Sequence, residues 1–322
     1  MAMINFNPTV EARTKCIDIH AHYLSDGYRA ALLKHGAKGS ESDGLPAPQW
    51  SVDKHLEMMS NLGIDRAFLS LASPHSHFGD DVETVELTRE INEFGADIVK
   101  RHPQRFGLFA TLPLPLIDQS LTEIDHAFDR LNAVGIKLPT NAGGIYLSDR
   151  RFDPIFNALN QRRAIVELHP VRPAVDALVP RKTPVAVVDY LVETTRTVSD
   201  MIISGLTVRY NNIRWIIPHG GALLPSLVDR LIGMKPLLPD KSVDVRAEFV
   251  RLYYDVAGFA VPNQLLGLMQ MTSVDHILYG SDYPYAFPAF IEGEMKKLAS
   301  TDILTDDQRQ MIFIDNAKNL IP

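Results

Sequence analysis

The chain has 322 residues, 46% of them hydrophobic and 22% charged, with a formal net charge of −7. That balance supports a large buried core and argues against a nucleic-acid surface or a polybasic membrane contact, while leaving room for a local basic pocket that takes a small anion. One cysteine, Cys16, excludes an intrachain disulfide; with no apolar leader-like run at the start and none of the ~20 residues a membrane helix needs, a cytoplasmic location is expected.

Taken in chain order, short β-branched or aromatic runs alternate with amphipathic ones. Strand-like runs fall at 16–20, 66–72, 105–112, 135–139, 164–169, 213–219, 252–258 and 276–282. They are continuously apolar, as strands buried on both faces of a parallel sheet are. Helical patterns lie between them: 51–63, with Ser51 placed to cap its start and Gly63 to stop it, then 81–102, 118–135, 184–205 and 225–233. Eight alternations predict an α/β fold, a (β/α)8 TIM barrel forming one domain over 1–322. The runner-up, a doubly wound open sheet, usually begins with a glycine-rich first turn, and "HAHYLSDG" is not one. Residues 23–50 exceed a usual strand-to-helix loop and read as an insertion, a lid over the barrel mouth. Residues 304–322 read as a final helix that closes the barrel.

Barrel enzymes work at the C-terminal ends of their strands. His20 and His22 end the first run, His169 the fifth, His219 the sixth and Asp282 the eighth. Residues i and i+2 of a strand point to one side, so His20 and His22 can both face the barrel axis. Two imidazoles beside a cation suit Zn²⁺ and similar metals. His169 and Asp282 can close the set and still leave a position for water or substrate, as a catalytic site requires.

The chain holds a second pair of the same spacing, His75 and His77 in "PHSH", but Pro74 breaks that segment and a polar loop is expected there. Beside them Phe78 could stack on a flat substrate, and Arg172 in "HPVRP" could meet an anion. Asp255, ending the seventh run, could orient a histidine or satisfy backbone amides. Gly220 and Gly221 are expected to let the backbone approach the metal closely.

At "DIHAH", "IIPHGGALLPSLVDR" and "LYGSDYP" the chain resembles the amidohydrolase superfamily, and more narrowly its aminocarboxymuconate-semialdehyde decarboxylase-like branch, from about residue 16 to the end. "NQRRAIVELHP" adds a similarity to the 6-methylsalicylate and γ-resorcylate decarboxylases within it. The resemblance implies one divalent metal held by His20, His22, His169 and Asp282, with Zn²⁺ the default, Mn²⁺ the alternative and no organic cofactor. It assigns acid–base work to His219 and leaves Asp282 as a second candidate proton donor. It implies a homodimer or higher homo-oligomer, with Arg230 near the partner's site. The expected reaction is non-oxidative decarboxylation of a small anionic aromatic or conjugated hydroxy acid. The alternative is hydrolysis of a carbon–carbon, amide or lactone bond, since binuclear relatives bridge two metals with a carboxylated strand-four lysine, and Lys137 stands at that position. Lys137 could otherwise meet the substrate.

Overall fold

The computed structural model describes residues 15–36, 42–173, 183–237 and 241–321. Among these, eight parallel strands follow one another around a ring. They are β1 (Cys16–His22), β2 (Ile64–Ser70), β3 (Phe106–Thr111), β4 (Gly135–Pro139), β5 (Ile165–His169), β6 (Arg214–Ile217), β7 (Tyr253–Asp255) and β8 (Ile277–Leu278). The ring is completed after β8, where Ile19 N–H donates to Tyr279 O (3.1 Å) and His22 N–H to Tyr283 O (2.7 Å). This is the expected (β/α)8 barrel. No helix among the described residues is long and apolar enough to cross a membrane.

The intervening helices match the sequence signals closely. Ser51 Oγ accepts from Lys54 N–H at the start of helix Val52–Leu62, and Gly63 ends it in the left-handed region at φ 75°. Helices Asp81–Arg101, Ile117–Asp129, Val185–Ile203 and Leu224–Gly233 occupy the other predicted stretches. Strands β7 and β8 are shorter than their apolar runs. Beyond their ends carboxylates accept from the backbone: Asp255 Oδ1 from the Ala257 N–H (2.9 Å), and Asp18 Oδ1 from the Ser281 N–H (2.9 Å), which also reaches His20 O (3.2 Å).

The barrel interior changes character along its axis. Ile19, Phe68, Phe109, Ile165, Ile216 and Leu278, one from each of six strands, fill the N-terminal end. Ala317, Leu320 and Ile321 from the C-terminal helical segment pack into the same cluster and cap it. Higher up, the inward positions become polar. On β5 the alternation runs Ile165, Glu167, His169, all buried, so one strand passes from grease to charge to ligand in steps of two.

Strand β1 needs a device to do the same. Its residue Ile19 belongs to the inner cluster, whereas Ala21, two residues on, packs in the outer core between strands and helices. A regular strand would put both on one face. The pairing with β2 explains the switch: β1 advances from Asp18 to Ala21 while β2 advances only from Ala67 to Leu69. The one extra residue is a bulge, which re-aims the side chains beyond it, and it turns His20 and His22 inward. A Cβ at Gly280 would lie 2.7 Å from His20 Cβ, so only glycine lets the chain after β8 pass this close.

Candidate metal centre

Three histidines turn Nδ1 toward an acceptor. His20 Nδ1 lies 2.8 Å from Asp255 Oδ2, His22 Nδ1 3.3 Å from Ser70 O, and His169 Nδ1 2.9 Å from Pro170 O. A ring nitrogen facing such an oxygen carries the proton, which leaves the lone pair on Nε2. His20 Nε2 and His22 Nε2 are 3.1 Å apart, and they stand 3.6 and 3.0 Å from the same oxygen, Asp282 Oδ1. Ligand atoms of His20, His169, His219 and Asp282 all lie within 4.8 Å of one another. Lone pairs and a carboxylate so arranged repel unless a cation sits among them. Two nitrogens each about 2.1 Å from one cation, at right angles, are about 3.0 Å apart, close to the His20–His22 spacing.

The electrostatics suit a divalent ion. Burial, then the Lys137 charge, pushes His22 down to about 3, and the same two causes hold His169 well below the ordinary imidazole range. Both rings are thus neutral, as ligands must be. Burial works against charge on Asp282 too, but the His219 and His22 rings beside it outweigh that cost and keep the carboxyl well below its usual range. Beneath these residues Lys137 Nζ donates to Glu167 Oε1 (2.7 Å) and Ser70 Oγ (3.0 Å), all fully buried. Lys137 and Glu167 cancel each other whichever holds the proton. Asp255 and Asp282 are then the negative charges around the converging nitrogens; against the cost of burial, Asp255 raises the affinity of His20 for a proton, and a divalent cation would take that proton's place.

His219 differs from the other ring histidines. It lies two residues past β6, in a single turn His219–Gly221, with φ 57°; Asp282 likewise has φ 61°. For non-glycine residues such backbone costs about 1–3 kcal/mol and collects at functional sites. The His219 N–H donates to Asp255 Oδ1 (3.0 Å), and Gln264 Nε2 donates to its carbonyl (3.1 Å). Its Nε2 is 3.7 Å from Asp282 Oδ2, while its Nδ1 has no hydrogen-bond partner among the described residues.

The structure thus brings His20, His22, His169, His219 and Asp282 together, and His219 completes the mutually close group in the place expected for His22. Asp255 fills both roles open to it, orienting His20 and accepting from backbone amides. Three of the four residues expected at the substrate are engaged with other partners. Phe78 stacks on His35 (ring centroids 4.8 Å apart, 5° between planes). Arg172 is half exposed with Nε 3.4 Å from Asp43 Oδ1. Lys137 is held beneath the histidines as a protonated amine would be, against one carboxylate and one hydroxyl. Arg230 is exposed on helix Leu224–Gly233. Gly220 and Gly221 serve a neighbour other than the metal ligands: a Cβ at Gly220 would meet Gln264 Oε1 at 2.7 Å, and one at Gly221 would meet Tyr254 at 3.1 Å.

Glu167 escaped the sequence reading, although an acid inside the apolar run "AIVELH" was its signal. So did the walls of a cavity of about 410 Å³ that opens from His169, His219 and Asp282 and is lined also by Ser42, Leu45, Tyr190, Phe259, Tyr285 and Phe287. These come from loops and helix faces with no common spacing. Ser42 Oγ donates to Ser73 O (2.8 Å), and Tyr190 OH donates to Asp43 Oδ2 (3.0 Å). Part of the 23–50 segment, residues 37–41, lies outside the described residues.

Comparison with known proteins agrees with this architecture. A family profile described as amidohydrolase matches residues 17–322. The chain is 33% identical over 303 residues to the 6-methylsalicylic acid decarboxylase of Aspergillus aculeatus, which covers 88% of this chain and 90% of that one. The fold matches a crystal structure described as an amidohydrolase II with a TM-score of 0.90 at 36% identity, over 95% of this chain and 99% of the other. A dihydroxybenzoic acid decarboxylase from Polaromonas sp., solved with bound manganese and 2-nitroresorcinol, has a TM-score of 0.77 at 20% identity, over 95% and 96% of the two chains.

Proposed function

The chain belongs to the amidohydrolase family, and from that premise we propose that it is a metal-dependent, non-oxidative decarboxylase of a small aromatic acid with a hydroxyl beside its carboxylate. The observation that carries this reading is the convergence of Nε2 lone pairs and Asp282 at the inner end of one mostly apolar cavity. His20, His22, His169 and Asp282 would hold one divalent ion, and its chemistry would be to orient the carboxylate with the neighbouring oxygen and stabilise their charge.

The protein's own groups supply the rest. Decarboxylation replaces a carbon–carbon bond by a carbon–hydrogen bond, so an acid must deliver a proton to the ring carbon that bears the carboxylate. The carbon becomes tetrahedral, CO₂ departs, and the bonding pair returns to the ring. Asp282 is held ionised and is a poor donor. His219 faces the cavity and keeps one ring nitrogen without a partner among the described residues, so we assign it the proton. With substrate filling the cavity, the apolar walls offer no polar group to hold water that would compete for that step. Ser42 and Leu45 on the cavity wall support residues 23–50 as a cover for the mouth.

Zn²⁺ remains the default metal for a histidine-rich site, with Mn²⁺ as the alternative that Asp282's hard oxygen and the manganese-bound Polaromonas enzyme both favour. We assign a homodimer with Arg230 near the carboxylate end of the partner's site; exposed Leu223, Met234 and Leu237 on the same stretch support a contact there. Its single, buried cysteine suits a cytoplasmic location.

The test is CO₂ release from a 2-hydroxybenzoate by metal-loaded protein in D₂O, before and after chelation. One deuterium on the ring carbon, loss of activity with the metal and recovery on adding Zn²⁺ or Mn²⁺ are expected. Solvent oxygen in the product would assign hydrolysis instead, and activity that survives complete metal removal would overturn the reading.

A further inference from the structure

The cavity that begins at the metal centre is larger and greasier than a single-ring acid needs. Water claims about 30 Å³ per molecule and bonded atoms claim less, so its volume accepts upwards of about 14 non-hydrogen atoms, whereas a hydroxybenzoic acid has about ten. The surplus has a distinct chemistry. Leu45, Val187, Leu191, Phe259, Phe287 and Phe290 line it, and no lysine or arginine is among its described lining residues. Its polar groups are largely engaged: Tyr190 OH with Asp43, Ser42 Oγ with Ser73 O, and Gln264 Nε2 with the carbonyls of His219 and Ala222.

Three phenylalanines form one wall. The Phe290 ring stands 4.6 Å from Phe259 and 6.0 Å from Phe287, centroid to centroid. Phe259 is 75% exposed and Phe287 65%, with Val187 at 58% across the same cavity. Large apolar groups left open to water around one concave site mark something that covers them. The wall is continuous with the cavity holding His169, His219 and Asp282, so whatever occupies the metal end reaches it directly.

We propose that the substrate carries an uncharged apolar substituent larger than methyl, such as a short alkyl chain, and that Phe259, Phe287 and Phe290 select it. A second carboxylate in that place would lose its hydration with no cation on the described wall to meet it. The inference rests on the decarboxylase reading above.

The experiment measures kcat/KM of the metal-loaded, full-length protein for 2-hydroxybenzoates bearing methyl, propyl, pentyl or a second carboxylate at ring position 4 or 6. Each methylene that enters the wall is worth about fourfold, so the propyl acid should exceed the methyl acid by about tenfold or more, and the dicarboxylate should fall below both. In the Phe259→Ala/Phe287→Ala protein the propyl-to-methyl ratio should collapse toward one. Methyl turnover equal to or above propyl overturns the inference and leaves the decarboxylase reading standing. A chain-length preference that survives the double substitution removes these residues from the selection. If instead that substitution splits a dimer in sedimentation and leaves the ratio intact, the wall belongs to a subunit contact and the inference fails. CO₂ from none of the acids overturns both readings together.

Discussion

His20 and His22 lie on a barrel strand, His75 and His77 in the loop after β2, and one spacing has opposite outcomes in the two places. On β1 the bulge, with the period of two beyond it, sends both rings to the axis, each with Nδ1 held by an acceptor and Nε2 free to converge. In the loop no period operates. His75, at φ 80°, is buried with Nε2 2.6 Å from Thr111 Oγ1. His77 turns outward, accepting from Gly79 N–H (3.3 Å) with Nε2 3.8 Å from Asp81. The spacing of a motif thus carries chemistry only where the pairing of its backbone, bulge included, converts it into direction.

That contrast can be broken at either end. Replacing His20 or His22 by alanine should strip the metal and lower kcat/KM by more than the about 10–100-fold typical of losing an outer-sphere partner; elemental analysis and CO₂ assays read the two effects. His219→Asn sharpens the boundary of the site. With His219 as proton donor the metal content stays at one per chain while kcat falls by about 10²–10⁴-fold, whereas loss of the metal would make His219 a ligand, as its place in the mutually close group allows.

Buried histidines outside the site, His75 of the loop and His55 of helix Val52–Leu62, predict effects on stability instead. Burial, then the Lys137 charge, pushes His75 down to about 3, and burial, then His22, does the same to His55. Both are neutral when folded, but unfolded histidine titrates near 6.5. Below that pH the unfolded chain binds protons the folded chain refuses, so stability is lost as pH falls from about 6.5 toward 3. His75→Gln should melt lower at pH 7, having lost the Thr111 contact, and approach the parent at pH 5, with one proton less in the slope. The smallest effect belongs to His77→Ala, whose stability and activity should match the parent within about 0.5 kcal/mol.

Most of the barrel was legible because its information is local. Apolar runs such as "AIVELH" and "IIPHGG" register burial on both faces, and the polar residue that ends each one registers the catalytic face. Ser51 and Gly63 named both ends of a helix for the same reason. The decarboxylase-like family was legible from the segments around His20, His219 and Asp282. What stayed hidden depends on contacts between distant segments. Phe259 and Phe290 meet across a turn and a helix, Tyr190 reaches Asp43 over 147 positions, and Arg172 finds that same aspartate instead of the cavity. The expected placements of Phe78 and Arg172 came from their neighbours in sequence, but each packs on a partner from the 23–50 insertion, whose path nothing in the sequence fixes.

The extra residue in β1 bears on how such a site can be moved or lost. Copying "CIDIHAH" into an evenly paired strand of another barrel would aim the two imidazoles under the helices, though every letter were right. Conversely, deleting one residue between Asp18 and Ala21 should leave a folded barrel with its histidines facing the wrong way, a protein that is sound in architecture and blind in chemistry. Metal content against thermal stability in that deletion would separate the two properties, which here hang on a single peptide unit.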